Sequence, residues 1–585
     1  MSTNLVRLRR HAADPLDHAL ARLERTMHEK RSLEPEDLRS IARATHQPEA
    51  AVFGVATFYS DLGVRRVGRT RVKVCKGTAC HAASAGAPIG WFEAALGVRE
   101  GETSADGAVS LEGVYCLGRC HASPAAQVED AVHDRLTPAS VAALAADLDR
   151  ASRADAPPSA PECVVHGCPP VVLERLARGV DATRLGVARD HGVFGGLARA
   201  LERSPAEVLG DIERSGLRGR GGAGFPTGTK LRLVAEHAGR AGRAYVVCNA
   251  DEGDPGSYID QAILERDPFA VLEGMAIAAR AVGADQGVVY VRSEYPAAIA
   301  VLRAAVEAVR SAGWPGAGPG GSGFSFRVAI VVGAGSYVCG EETALLRSAE
   351  GQRGMVSARP PFPAERGLFG LPTVVNNVET LASLGWILRH GGAAYAALGT
   401  GRSRGTKAFS LNERFRRPGI YELELGTPAR VLLEELGGGM QSGRPLKAFQ
   451  IGGPLGGILT PAHLETPLGF EELEAVGGLL GHGSVVAWDA DADLRSVAEH
   501  LLEFGEAESC GKCFPCRLGT RRALELVRGL AASPSRAAAE ADLVLVEEIC
   551  ETMRLGSLCA HGGSLPAPIG AILREFRHEL LRGVP

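Results

Sequence analysis

The chain has 585 residues, of which 45% are hydrophobic and 23% charged, with a net charge of −4. That length exceeds the roughly 250–300 residues at which single cores stop growing, so several domains are expected. The charge balance gives no electrostatic drive toward nucleic acid or anionic membrane, and apolar runs such as VAIVVGAG are too short to span a bilayer. The N-terminus, MSTNLVRLRRHAADPLDHAL, has basic residues without an apolar core, so no secretory signal is expected there. Thirteen cysteines, clustered as metal ligands usually are, suit a reducing cytoplasm.

In chain order, residues 1–60 carry apolar positions at helical intervals in DHALARLERTM and PEDLRSIARAT. Residues 71–150 alternate short apolar runs with helical stretches, predicting a small α/β domain that ends in the helix PASVAALAADL. This region holds Cys75 and Cys80 in VCKGTAC, then Cys116 and Cys120 in YCLGRC. Two thiolate pairs, one per iron, suit a 2Fe–2S centre; zinc or free buried cysteines are the bland alternatives. With GVATFYS at 54–60 and LTPASV, the four cysteines resemble the thioredoxin-like 2Fe–2S ferredoxin domain of respiratory complex I.

The Ala-, Pro- and Ser-rich segment 151–162 reads as a linker. Cys163 and Cys168 follow it in CVVHGC, a weak metal pattern with only two thiolates and one His. From 163 to 400, glycine is dense and the runs AYVVCN, GVVYVR and RVAIVVG alternate with helices, an α/β layer pattern. The loop GLRGRGGAGFPTGTK contains a literal G-x-G-x-x-G at Gly219, Gly221 and Gly224. A dinucleotide fingerprint would need a preceding strand, but PAEVLGDIERSG reads as helix. The better reading is a glycine loop that brings a flat cofactor close to backbone N–H groups. RVAIVVGAG running into GEETALL reads as strand, turn and helix, so phosphate at that helix N-terminus is an alternative. Residues 401–490 predict a mostly β unit, from FSLNE, GIYELEL, LKAFQIGG and SVVAW, with one helix at VLLEELGG.

The last 95 residues, 491–585, read as helical and hold Cys510, Cys513 and Cys516 in ESCGKCFPCR, with Cys559 after a gap of 42 residues. C-x2-C-x2-C plus a remote Cys suits a 4Fe–4S cluster, whereas zinc sites usually bring two separated pairs. Cys248, Cys339 and Cys550 lie in apolar runs and read as core, with Cys550 the runner-up for the fourth ligand.

The glycine loop, CNADEGDPGSYID, GAGSYVCGEETALL, PPFPAERGLFGLPTVVNNVET and ESCGKCFPCR together resemble the FMN- and NADH-binding subunit of complex I and its relatives. The resemblance implies a multidomain α/β fold: N-terminal helices with the thioredoxin-like domain (1–150), a Rossmann-like FMN domain (163–400), a small β-grasp-like domain (401–490) and a C-terminal 4Fe–4S helical bundle. It implies FMN contacts from Gly219, Arg220, Gly221, Gly222, Gly224 and Lys230, from Asn249, Asp251 and Glu252, from Tyr337, Gly340, Glu341 and Glu342, and from Asn376 and Asn377. It places Phe225 and Phe362 on the adenine of NADH, Asp254 on the nicotinamide side, and Glu342 as a candidate near the chemistry. Three positions depart from the common pattern: Arg359 where Lys is usual before PPFP, Leu233 where an aromatic is usual, and Asp254 where Glu is common. NADH is expected over NADPH, because Glu341 and Glu342 would repel a 2′-phosphate.

Hydride donors give two electrons at once and iron–sulfur clusters accept one; flavin does both and stands between them. These parts make a diaphorase module. The fusion of two usually separate pieces resembles the diaphorase subunit of soluble NAD-reducing nickel–iron hydrogenases. The runner-up is the beta subunit of an NAD-dependent formate dehydrogenase, and a fused NADH-dehydrogenase module of a complex I-like enzyme is a further alternative. No nickel or molybdenum ligand set is evident, so the terminal donor is expected on another chain, reached through an additional iron–sulfur subunit. A vestigial assembly subunit is disfavoured because all eight cluster cysteines and the flavin loop are intact.

Overall fold

A computed structural model describes residues 17–64, 66–153, 159–313 and 324–585. The expected helices before residue 60 are Ala19–Lys30, Pro35–Thr45 and Glu49–Ala56; residues 1–16 lie outside the described residues. Each of the first two buries a Leu-rich stripe spaced for a helix, Leu20, Leu23 and Met27 on one, Leu38 and Ile41 on the other.

The first sheet contains β1 (Thr70–Cys75), β2 (Val109–Val114), β3 (Ala126–Val128) and β4 (Ala131–His133) in the order β2-β1-β3-β4. β1 and β2 are parallel and the other pairs antiparallel. The helix Ala87–Leu96 packs on β2 and on the helix Pro138–Ala146, whose N-terminus is capped by Thr137.

β5 (Cys163–His166) opens the next segment, but it pairs in parallel with a strand some 250 residues later. The central sheet is β6 (Tyr245–Ala250), β7 (Gln286–Val291), β8 (Arg327–Val332) and β9 (Thr373–Asn377), all parallel, in the order β8-β7-β6-β9. Their valine-rich runs follow from burial on both faces. The helices Pro268–Val282 and Val378–His390 cover one face and cross closely: a methyl on Gly274 would meet the Leu381 carbonyl. The N-terminal helices share a core with the other face, through Tyr245, Val247, Val288 and Tyr290.

After the short ribbon β10 (Gly399–Thr400) and β11 (Ser403–Arg404) come β12 (Thr406–Leu411), β13 (Gly419–Glu424), β14 (Leu446–Ile451), β15 (Ile458–Leu459) and β16 (Ser484–Asp489). With β5 they form a mixed six-stranded sheet ordered β15-β14-β16-β12-β13-β5. The helix expected at VLLEELGG is a single wide turn, Val431–Leu436, and a further helix spans Phe470–Ala475. The C-terminal region is helical, led by Leu494–Ala507, Phe514–Gly529, Arg536–Gly556 and Pro566–Glu575. Leu494–Ala507 packs against the helix Thr78–Ser84 that follows β1, which brings the two cysteine-bearing ends of the chain together.

Candidate functional site: a nucleotide and flavin crevice between two cysteine clusters

The chain runs β6, β7, β8 in one direction, then returns to β9 on the other side of β6. That reversal opens a crevice at the carboxyl ends of β6 and β9, where doubly wound sheets bind ligands. Asn249 ends β6, with Asp251 and Glu252 just after it; Asn376 and Asn377 end β9. The two buried atoms Asp251 Oδ2 and Asn376 Nδ2 have no hydrogen-bond partner among the described residues. Burial pushes the Asp251 carboxyl well above the usual range. An orphaned acceptor and an orphaned donor at one crevice suit a flat heterocycle that both donates and accepts.

The glycine loop lies over this crevice, preceded by the helix Pro205–Ser215 and followed by Thr227–Ala241, so the dinucleotide fingerprint is excluded. A Cβ on Gly221 would lie 2.8 Å from that of Asn377. Gly222 and Gly224 have positive φ, of 122° and 59°. Lys230 enters from the next helix, donating to the Val375 carbonyl at 3.0 Å and lying 3.5 Å from Glu342.

Several predicted contact residues spend their side chains elsewhere. Arg220 is buried and points away from the crevice, donating to Tyr395 Oη and the Arg404 carbonyl, while its backbone N–H donates to Thr380. Glu252 accepts from Ser257 and from the N–H groups of Ile259, Asp260 and Gln261, capping the helix Ile259–Arg266. Glu341 caps the helix Glu342–Ala349 by accepting from the Thr343 and Ala344 N–H groups. A carboxylate therefore already fills the helix N-terminus that the sequence offered as an alternative phosphate site. Gly340 holds Asn249 by its carbonyl, 2.8 Å from Nδ2.

Phe225, Leu233 and Phe362 are 44%, 40% and 54% exposed, a wet apolar group at the crevice mouth, where helix Thr227–Ala241 packs on the turn Pro363–Arg366. Arg359 pairs with Glu342 at 3.0 Å, so this carboxylate has a cation on each side, Arg359 and Lys230. The repulsion of a 2′-phosphate expected from the carboxylates is thus partly offset at Glu342.

Tyr337 joins the crevice to the cysteines. Its hydroxyl donates to Asp254 at 2.7 Å, and its backbone N–H donates to Glu508, two residues before Cys510. Its ring packs on Phe504 at 4.9 Å and on His561 at 5.6 Å. Phe504 also meets Tyr115, the neighbour of Cys116.

Cys510 follows the helix Leu494–Ala507, Cys513 immediately precedes Phe514–Gly529, Cys516 lies in its first turn, and Cys559 immediately precedes Ala560–Ser564. The Cys559 loop presses on this turn: a methyl on Gly562 would lie 2.7 Å from Cys516 Cβ. Cys559 accepts from the His561 and Gly562 N–H groups. Cys550 packs instead into the helical core with Leu543 and Val546. In the other cluster, Cys75 closes β1 and accepts from the N–H groups of Gly77, Leu117 and Cys116. Cys116 and Cys120 have sulfurs 3.5 Å apart, and all four side chains are buried. Cys163 begins β5 and Cys168 follows its end, and their sulfurs take different partners, Arg266 and the Glu422 carbonyl.

This fold and site define a flavin- and iron–sulfur-binding nucleotide oxidoreductase. Residues 212–386 match the Nuo51 FMN-binding domain, 8–149 the thioredoxin-like [2Fe-2S] ferredoxin, and 496–583 the NADH-ubiquinone oxidoreductase-F iron-sulfur binding region. The chain belongs to the family of NADH-dehydrogenase subunits that carry the Nuo51 FMN-binding domain together with an iron–sulfur binding region. It is 42% identical to the NADP-reducing hydrogenase subunit HndC of Solidesulfovibrio fructosivorans over 386 residues, 66% of this chain and 78% of that one. It is 38% identical to an NADH-quinone oxidoreductase subunit of Escherichia coli over 398 residues, 68% and 88% of the two chains. A chain of an NAD+-reducing [NiFe]-hydrogenase in the H2-reduced state superposes with a TM-score of 0.83 at 31% identity, covering 97% of this chain and 93% of that one. No helix among the described residues is long and apolar enough to cross a membrane.

Proposed function

We propose that the chain is the diaphorase subunit of a cytoplasmic NAD-reducing hydrogenase, exchanging hydride with NAD(H) and single electrons with partner subunits. The observation that carries this reading is the crevice between β6 and β9, with Tyr337 linking it to both cysteine-bearing regions. Bound FMN would supply the conversion between two-electron and one-electron chemistry. Gly219 and Gly222 leave room for its ring, Gly221 lets the loop close on Asn377, Lys230 offers charge to its phosphate, and Asp251, Asn249 and Asn376 offer hydrogen bonds. Phe225 and Phe362 provide apolar faces for adenine, and Asp254, held by Tyr337, orients the nicotinamide side. Cys75, Cys80, Cys116 and Cys120 would hold 2Fe–2S, and Cys510, Cys513, Cys516 and Cys559 would hold 4Fe–4S. In this reading 1–150, 163–400, 401–490 and 491–585 are the functional units, with β5 lending an edge to the third.

The near end-to-end likeness to a hydrogenase chain favours hydrogen over formate as the partner's substrate. The native complex, purified and exposed to each, decides: hydrogen should bleach its flavin absorbance, and bleaching by formate alone would overturn the hydrogenase assignment. The isolated chain should reduce an artificial acceptor with NADH yet oxidise neither hydrogen nor formate.

A further inference from the structure

Beneath the glycine loop lies a buried cluster of six charged side chains: Arg220, Lys407 and His482 against Glu252, Asp260 and Glu379. Lys407 bonds to Glu379. His482 Nε2 lies 3.1 Å from Asp260 Oδ2 and 3.7 Å from Glu252 Oε1. A charged imidazole gives the buried Asp260 carboxylate a cation at hydrogen-bond distance, which matters because an unpaired buried charge is costly. Burial works against that charge, but Asp260, hydrogen-bonded to the ring, and Glu252 override it and push His482 up to about 9.

The cluster reaches the crevice through Asn377. Its Oδ1 accepts from the Glu379 and Thr380 N–H groups, and its Nδ2 donates to Asp260 at 2.5 Å. The amide is thus held at both ends, 3.4 Å from His482 and directly under Gly221. Thr380 in turn accepts from the Arg220 N–H. On the other side, Gly481 approaches Gly222, since a methyl on Gly222 would lie 4.0 Å from the Gly481 Cα. Glu252, Asp260 and His482 could also be read as a metal-binding trio. The Glu252 oxygens already accept from four donors of their own segment, and the imidazole supplies the positive charge a metal would bring.

We propose that His482, as the cation hydrogen-bonded to Asp260, is a positioning residue for the flavin: it holds Asp260, and through it the Asn377 amide and the glycine loop, in the FMN-binding arrangement. This rests on the FMN reading of the crevice.

The test is FMN affinity of the apoprotein, read by quenching of flavin fluorescence, with the visible flavin spectrum alongside. H482Q keeps size and hydrogen bonding but removes the charge, and D260N removes the opposing one. Each should weaken FMN binding about tenfold, whereas the double variant, which removes both members of the contacting pair and strands neither charge, should lose less than the product of the two. A second arm is decided by the pH profile of the wild-type protein, so it survives a variant that does not fold, and H482Q serves as its control where it does fold. The groups facing the ring are Asp260, Glu252, Asp254 and Lys407. As the imidazolium deprotonates between pH 7 and pH 9.5, FMN binding should weaken about threefold, and H482Q should show no such change. Wild-type affinity and spectrum in H482Q, or a flat wild-type pH profile, overturns the proposal. Failure of the wild-type apoprotein to take up FMN at all would instead sink the flavin reading on which it rests.

Discussion

Phe362 is an apolar ring that more than half faces water, at the rim of a crevice lined with polar atoms. A residue so placed contributes little to the core, so replacing it isolates its role in binding. Stacking against an aromatic partner is worth about 1 kcal/mol. Phe362→Ala should therefore raise KM for NADH roughly fivefold, leave the melting temperature essentially unchanged, and leave FMN content at the wild-type level. An unchanged KM in steady-state assays would remove Phe362 from the nucleotide site. At this scale the sequence was legible where spacing alone does the chemistry. Three thiolates within seven residues stay close along the chain, and Cys510, Cys513 and Cys516 fall at and just before one helix N-terminus. It was misleading where a motif names a position but not a direction. Arg220 and Glu252 sit in the motifs, yet the one runs into Tyr395 and the other caps a helix. His482 had no local signal, because its partners Asp260 and Glu252 lie more than 200 residues upstream.

Helices and strands were readable from periodicity, and their partners were not. The runs AYVVCN, GVVYVR and RVAIVVG became β6, β7 and β8, whereas the short CVVH became an edge strand of a sheet assembled mostly from residues 406–489. A four-residue strand carries too little pattern to name a partner so distant. What anchors its segment is polar: Glu422 of β13 accepts from the Val171, Val172 and Leu173 N–H groups. Arg175, in the turn that follows, is buried 2.6 Å from Asp267, at the head of helix Pro268–Val282. Burial outweighs the guanidinium and pushes the Asp267 carboxyl up to about 6. A carboxyl raised in the folded state contributes most stability below its unfolded value near 4, and loses it as pH rises through about 6. Arg175→Met should thus destabilise by about 3–5 kcal/mol at pH 8, where it strands a buried carboxylate, and by clearly less at pH 5, where protonation relieves the charge. Calorimetric melts at the two pH values check this. Equal losses would mean that Arg175 acts through packing alone.

Across the whole molecule the flavin crevice and the cysteine sets are contributed by different parts of the chain, and the junction between them is a few rings. Helix Leu494–Ala507 supplies Phe504, which touches Tyr337 from the crevice side and Tyr115 from the other cysteine cluster. The four ligands proposed for 4Fe–4S all lie beyond residue 509, whereas the crevice residues lie between 219 and 377 and rest on their own sheet. Removing one thiolate should therefore cost the cluster without dismantling the crevice. Cys516→Ser is the sharpest choice, because Cys516 sits in the first turn of a helix and the Cys559 loop closes directly onto it at Gly562. The variant should bind FMN at the wild-type level and still bleach in stopped-flow mixing with NADH. Its 4Fe–4S signal should be absent from electron paramagnetic resonance spectra, the 2Fe–2S signal retained, and partner-linked NAD reduction reduced at least a hundredfold. Loss of the 2Fe–2S signal with the other intact would show the two cysteine sets to be assigned to the wrong centres. Retention of both signals at full intensity would remove Cys516 from the ligand set, and the parallel FMN measurement separates either result from simple unfolding.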